Sequence, residues 1–125
     1  MIELEIRTRD NTTSFLPGES LAGQVSWMSD SPPGLIELRL FWRTEGKGTN
    51  DIQVVERVSF SNPRRQETHD FLFQLPDAPY SFSGKLISLI YALELTVIST
   101  DETERLDIII SPTKSEIALY SGQHA

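Results

Sequence analysis

The sequence has no cysteine among its 125 residues and only two histidines, His69 and His124. Without thiols the chain cannot form disulfides, thiolate metal sites, iron–sulfur clusters or a cysteine nucleophile, so its stability must come from its core. No G-x-S-x-G, H-E-x-x-H, Walker-type or G-x-G-x-x-G pattern occurs. Asp70 follows His69, but neighbouring residues of a strand point to opposite faces and make a poor catalytic dyad. We therefore predict a non-enzymatic protein with no catalytic residue, no metal site and no cofactor.

Basic residues are scarce as well, with 11 Lys and Arg against 18 Asp and Glu, and the net charge is −7. An acidic surface repels phosphate backbones, so we expect no nucleic-acid partner. Four acids lie close together near the end of the chain: Asp101, Glu102, Glu104 and Asp107. They are interpreted as solvated charges of a turn, because residues of opposite parity on a strand do not converge on a cation.

Long hydrophobic runs are also missing. In the most apolar stretch, residues 79–98, the longest segment without a charge is 86–93, far short of the ~20 residues that cross a bilayer. The chain begins Met-Ile-Glu-Leu-Glu-Ile, with acids where a signal peptide has a basic start. We therefore expect no integral membrane segment and a cytoplasmic location.

The sequence does contain a regular alternation of apolar and polar residues. Six apolar residues of one parity follow each other in its longest example: Ile87, Leu89, Tyr91, Leu93, Leu95 and Val97. This pattern predicts a long central strand whose inner face carries these six side chains. Leu86 and Ile90 are apolar residues of the opposite parity. In an isolated sandwich that parity faces the solvent, so their apolar character is unexplained.

The same alternation recurs along the chain between segments rich in Gly, Pro, Asn and Ser. It predicts seven strands, with an eighth at Ile117 and Leu119, and no helix of comparable length. Strands spaced by roughly 10 to 18 residues fit an all-β, immunoglobulin-like antiparallel β-sandwich. We expect one such domain over residues 1–120, followed by a frayed tail at 121–125.

Several positions carry more local predictions. Gly23 interrupts an apolar parity, which indicates a close backbone approach or a bulge. The alternation also breaks at Val54 and Val55, where a β-bulge would restore it. Trp27 and Trp42 fall on core parities and are interpreted as packing residues. Phe41 has the opposite parity, and we expect it at the surface.

Two segments resemble conserved features of one family. Residues 17–25 read PGESLAGQV, and residues 79–84 read PYSFSG, followed by LIYALEL at 89–95. Together they resemble arrestin-like domains, in which a PGE-x-x-x-G-x-V turn and strand come early and a P-x-S-x-x-G segment leads into a later strand. Independently of the family, Pro17 and Gly18 suit a type II turn, and Glu19 can bind loose backbone ends.

The resemblance implies an arrestin-like sandwich that acts as a protein-binding adaptor or scaffold, as in the single-domain, bacterial sporulation-control type or an arrestin amino-terminal domain. The sequence departs from the receptor-binding arrestins because it has room for only one of their two sandwich domains. The charged cluster between those domains, and activation by phosphorylation, are therefore not carried over.

Our leading hypothesis is a protein-interaction module that binds a protein partner, or itself as a homodimer, through an exposed strand edge or loop face. The predicted partner-binding residues are apolar side chains of outward parity and a local basic group: Phe41, Leu86, Ile90, Arg57, Arg64 and Arg65. The alternative hypothesis is a sandwich that binds carbohydrate or another small ligand. It requires exposed aromatic rings that cluster, with Tyr80 and Phe82 as candidates.

Overall fold

The computed structural model describes residues 1–46, 48, 50–84, 87–114 and, for the backbone, 117–118. Ten strands follow each other in this part of the chain, with one short 3₁₀ turn, Arg9–Asn11, after the first. The strands are β1 (Ile2–Thr8), β2 (Ser14–Phe15), β3 (Ser20–Ser29), β4 (Ile36–Gly46), β5 (Ile52–Phe60), β6 (Gln66–Gln74), β7 (Phe82–Ser83), β8 (Ile87–Val97), β9 (Thr103–Ile110) and β10 (Ile117–Ala118). The all-β sandwich predicted from the alternation is confirmed.

The strands form two sheets. The smaller sheet has the order β1-β3-β6, and the larger one is built on the order β10-β7-β8-β4-β5. Strand β8 pairs with β4 along its whole length, while its other edge is shared between β7 and β9. Most pairs are antiparallel, but β2 joins the end of β9 and β10 joins β7 in parallel. The predicted eighth strand is present at Ile117, whereas Leu119 and the tail 121–125 lie outside the described residues.

The core lies between the two sheets and is filled by alternate residues of the long strands. The inner face of β8 is buried as predicted from Leu89 to Val97. Ile87 differs, with 43% of its surface exposed, because it pairs with Gly46 at the end of β4, where the β4–β5 turn begins. Burial also extends to Ala92 and Thr96 on the outward parity, so the central strand is covered on both faces along part of its length.

Two irregularities of the strands agree with the sequence predictions. Leu40 pairs with Glu56 and the next residue, Phe41, pairs with Val54, so Val55 is the extra residue of a β-bulge. A Cβ on Gly23 would collide with the carbonyl oxygen of Arg7 and with the Phe71 ring, which confirms a close approach at this glycine.

The PGE segment forms the turn that leads into β3. Gly18 has a φ of +76°, and the amide of Glu19 donates to the carbonyl of Leu16 at 3.2 Å. In return, the Glu19 carboxylate accepts the amide of Leu16 at 2.8 Å. Glu19 therefore closes the turn through both its amide and its carboxylate, and its role is structural.

The P-x-S-x-x-G segment is held against β8 and β9 by buried hydrogen bonds. The hydroxyl of Tyr91 donates to the carbonyl of Pro79 at 2.8 Å. The amide of Ser81 donates to the carbonyl of Ile110 at 2.8 Å, and its hydroxyl accepts the amide of Ile110 at 3.0 Å. Ser81 thus continues the pairing of β9 beyond the last regular strand partner, which explains why a serine stands at this position.

Replacement of Tyr91 tests the first of these contacts. Tyr91→Phe removes the hydroxyl and leaves the Pro79 carbonyl without that donor, so we expect a loss of about 1–2 kcal/mol in the free energy of unfolding. Urea denaturation measures it. The matched control is Tyr80→Phe, because Tyr80 is exposed; its effect should stay within about 0.5 kcal/mol. Equal losses in the two variants would contradict the assigned role.

The pH dependence of stability provides a second test. Burial raises the pKa of Tyr91 from 10.0 to about 12, so the folded state favours the neutral phenol. This contribution is complete below pH 10 and is lost as the pH rises towards 12, with about 1.4 kcal/mol lost at pH 11. Urea midpoints at pH 9, 10 and 11 should therefore fall more steeply for the wild type than for Tyr91→Phe. Parallel pH profiles would show that Tyr91 does not titrate in this way.

Candidate functional site

Three of the predicted partner-binding residues share the outer face of the larger sheet. Phe41 pairs with Ala92 and Val54, Ile90 pairs with Arg43, and Arg57 pairs with Arg39. Residues directly opposite each other in neighbouring strands point to the same side of the sheet. Strands β4, β5 and β8 therefore bring these three together, although they are far apart in the sequence.

The other three predicted residues do not join this face. Arg64 and Arg65 are exposed in the turn between β5 and β6. Their backbone carbonyls accept hydrogen bonds from the Trp27 ring at 3.0 Å and from the Ser29 amide at 2.8 Å. Leu86 lies outside the described residues, so its role in partner binding stays a prediction.

The expectation that Phe41 is exposed is wrong. Only 5% of its surface is accessible, although it lies on the outer face. The guanidinium carbon of Arg105 lies 5.8 Å from the centre of the Phe41 ring, and long arginine side chains of β4 line the same spot. These side chains cover the Phe41 ring and exclude most of the water from it. Phe41 forms the floor of the face, and a partner would contact the arginines above it.

Four charged residues above Phe41 form an arginine–glutamate cluster: Arg39, Arg43, Glu94 and Arg105. Glu94 is at its centre, with 13% of its side chain exposed. Arg39 donates to one carboxylate oxygen of Glu94 at 2.7 Å, and Arg105 donates to the other at 3.1 Å. A carboxylate with a charged donor on each oxygen is well compensated for its loss of water.

Arg43 is the least satisfied member of the cluster. Its Nε donates to Glu45 at 3.0 Å, but 55% of the Glu45 side chain is exposed. Its Nη1 lies 3.7 Å from Asp107, too far for a hydrogen bond, and this buried nitrogen has no hydrogen-bond partner among the described residues. The Nε of Arg39 is also buried and also has no hydrogen-bond partner among the described residues. Both nitrogens retain donor capacity in a place with little water.

A small cavity opens within this cluster. It has a volume of about 130 Å³ and is lined by three arginines, one carboxylate and three apolar side chains: Arg39, Arg43, Arg105, Glu94, Phe41, Ile52 and Val54. Ile52 lies at its margin, with 69% of its surface exposed. In the part of the chain that the structure describes, β5 pairs only with β4, so this margin is also an edge of the sheet.

Sequence reasoning did not find the cluster. Arg39 and Arg43 alternate with the core residues of β4, a pattern that indicates only a polar outer side for that strand. Their parity is the same as that of Phe41, and this could have marked them as its neighbours. The meeting with Glu94 and Arg105 depends on the register of three strands, which no local pattern reveals.

Within the part of the chain that the structure describes, Trp27 and Trp42 do not form an exposed aromatic row. Trp27 is buried, and its ring lies 5.4 Å from Phe60 and 5.4 Å from His69. Trp42 is half-buried and packs against the core, so both tryptophans are packing residues as predicted. The Trp27 ring is thus unavailable to a sugar. His69 accompanies these rings and lies 3.2 Å from Glu67.

Metal-binding groups and membrane-spanning helices are two further features to consider in the described residues. Within the described residues, no three His, Asp or Glu side chains are grouped so that they could hold a metal ion. The four acids near the end of the chain are exposed, as expected for solvated charges. None of the helices in the described ranges is long and apolar enough to span a membrane.

Comparison with known proteins shows the fold. No protein-family model matches the chain, and no curated protein matches it by sequence. Among solved structures, Spo0M, the sporulation control protein from Bacillus subtilis, superposes with a TM-score of 0.62 and 18% identity over 88% of this chain. The match covers 49% of that chain, so the present chain spans about half its length. This likeness supports the arrestin-like fold that the two motifs predicted.

A second solved structure is also similar to this chain in its fold alone. The β-glucosidase from Listeria innocua superposes with a TM-score of 0.50 and 13% identity, over 93% of this chain but 16% of the enzyme. At this identity the match shows a shared β-sandwich architecture and nothing about chemistry.

The central position of Glu94 can be tested by a neutral replacement. Glu94→Gln keeps the size of the side chain but removes the charge that compensates Arg39 and Arg105, so we expect a loss of about 1–3 kcal/mol in the free energy of unfolding. Glu5→Gln is the matched control, because Glu5 pairs with Arg7 and both side chains are more than half exposed; its effect should stay within about 0.5 kcal/mol. Urea denaturation measures the free energy of unfolding of both variants. A loss for Glu94→Gln no larger than that of the control would contradict the central role of Glu94 in the cluster.

Proposed function

We propose that this protein is a non-enzymatic protein-interaction module, of the adaptor or scaffold kind, and that it binds its partner through the outer face of the larger sheet beside β5. The observation that carries the proposal is the exposed Ile52 at a sheet edge, next to an arginine with unused donors. Interfaces are enriched in arginine and in apolar anchors, surrounded by a polar rim.

The rest of the face has the composition that such an interface needs. Ile90 and Val54 are half-buried and lie on opposite sides of the charged residues of β4, Val54 on β5 and Ile90 on β8. Arg57 adds an exposed positive charge opposite Arg39. The four arginines of the face alternate with four carboxylates, of Glu37, Glu45, Glu94 and Asp107, so the face carries mixed charge in a protein with a net charge of −7.

The likeness to Spo0M, a sporulation control protein, supports a regulatory rather than a catalytic role. We further propose a cytoplasmic location for the module. A second copy of the same chain is one of the partners that the following experiment distinguishes.

Site-specific crosslinking tests the proposed surface. A photoreactive phenylalanine derivative placed at Ile52 should capture a defined protein in the native cells, identified by mass spectrometry of the crosslinked product. The matched control position is Leu72 on β6, because it is equally exposed, 68% against 69%, but lies on the smaller sheet. Capture of the chain by itself from position 52 would assign the face to a homodimer.

Crosslinks of the same yield and identity from positions 52 and 72, or none from position 52, would show that this face is not the interface. Circular dichroism of both substituted proteins should confirm that each remains folded.

A further inference from the structure

The arginine cavity carries a more specific inference, which rests on the proposed function. The walls of the cavity include three guanidinium groups, of Arg39, Arg43 and Arg105, against the single carboxylate of Glu94. That carboxylate already accepts hydrogen bonds from two of the three arginines. Glu45 and Asp107 pair with Arg43 from outside the lining, so three carboxylates balance the three guanidinium groups, and the cavity offers unbonded N–H donors rather than a net positive charge.

Arg43 shows where the unused binding capacity lies. Only 16% of its side chain is exposed, so most of its guanidinium has lost contact with water. Its carboxylate neighbours, Glu45 and Asp107, are both more than half exposed and lie at the margin, and Asp107 is beyond hydrogen-bond distance. A desolvated guanidinium with an unbonded N–H is costly, and an added acceptor would relieve this cost.

The chemistry of the donors selects the ligand. A guanidinium offers a planar fork of N–H donors that matches the two oxygens of a carboxylate. The Phe41 floor and the side chains of Ile52 and Val54 suit the short aliphatic stem that carries such a group. An anionic group on an apolar stem describes the side chain of aspartate or glutamate.

The size of the cavity favours a tethered group over a free small molecule. Its volume is about 130 Å³, whereas pockets for whole small ligands measure ~300–1,000 Å³. It holds one functional group, and the remainder of the ligand must lie outside, over the exposed Ile52 at the sheet edge. A side chain that projects from another protein meets this requirement.

We infer that the cavity between Arg39, Arg43 and Arg105 is a carboxylate subsite, and that it receives an aspartate or glutamate side chain of the protein partner. The carboxylate accepts hydrogen bonds from the guanidinium groups that line the cavity, after small rotations of Arg43 and Arg39 turn their two unbonded nitrogens, which are buried in this structure, towards it. Apolar residues beside that acidic side chain contact Ile52 and Val54. The partner segment is thus acidic with apolar flanks.

Nuclear magnetic resonance of the full chain can test the subsite directly. The Nε–H signals of Arg39 and Arg43, in protein labelled with nitrogen-15, are followed while a blocked pentapeptide with a central glutamate between valines is added. The comparison probes are the same peptide with glutamine and free propionate. We expect saturable shifts with the glutamate peptide, and at least about tenfold weaker binding of the other two probes, since each lacks either the charge or the apolar flanks.

Substitutions then assign the shifts to the cavity. Arg43→Gln should abolish binding, and Arg43→Lys, which keeps the charge but loses the fork, should weaken it by about tenfold. Arg65→Gln is the matched control, because Arg65 is exposed and lies outside the cavity; binding should be unchanged. If Arg43→Gln does not fold, the lysine variant alone still decides the question.

Several results would overturn the inference. These are the absence of saturable shifts, equal binding of the glutamate and glutamine peptides, or equal losses for Arg43→Lys and Arg65→Gln. Propionate binding as tight as that of the glutamate peptide would assign the subsite to a free carboxylate instead. If Ile52 still captures a partner in these cases, the proposed function stands and only the subsite fails. If the glutamate peptide binds but no protein is crosslinked from position 52, the carboxylate subsite stands and the proposed protein partner on this face is rejected.

Discussion

The register between β4 and β8 is the constraint on which the rest of the structure depends. The two strands pair from Ile36 and Val97 at one end to Gly46 and Ile87 at the other. Side chains of a strand alternate between faces, so a shift of one residue would turn the whole inner row of β8 away from the core. The register is therefore specified by the burial of that row, and every other strand of the larger sheet is placed relative to it.

The candidate site exists because of this register. Glu94 stands opposite both Arg39 on β4 and Arg105 on β9, so one carboxylate reaches two guanidiniums in neighbouring strands. The same alternation that buries Leu93 and Leu95 in the core presents Glu94 on the outer face. Core packing and the arrangement of charges on the surface are thus two consequences of one pairing. A substitution that loosened the core row would also disturb the cluster.

Some features of this molecule are readable in its sequence because they are local. The inner row of β8, the turn at Gly18, the close approach at Gly23 and the bulge at Val55 each leave a mark in a short window. A period of two residues, or its interruption, reports directly on the environment of neighbouring side chains. The sandwich follows from the number and spacing of such segments.

The features that sequence reasoning missed are non-local. Phe41 has the parity of an exposed residue, and only the neighbouring strands show that arginine side chains cover it. Arg39 and Glu94 are 55 positions apart, and their contact follows from strand order rather than from any pattern around either residue. The predicted basic group likewise separates, since Arg57 belongs to the sheet face and Arg64 and Arg65 to a distant turn. Composition indicates charge, whereas its placement depends on topology.

The bulge at Val55 makes the edge of β5 a poorer template for aggregation than a straight strand. A straight, unpaired strand with exposed apolar side chains is a template on which identical chains can stack without limit. The extra residue divides β5 into two short segments with a local twist between them, so neither offers a long regular ladder to another edge. Ile52 is thus exposed at the rim of the larger sheet beside a ladder that is too short and too twisted to favour fibril growth.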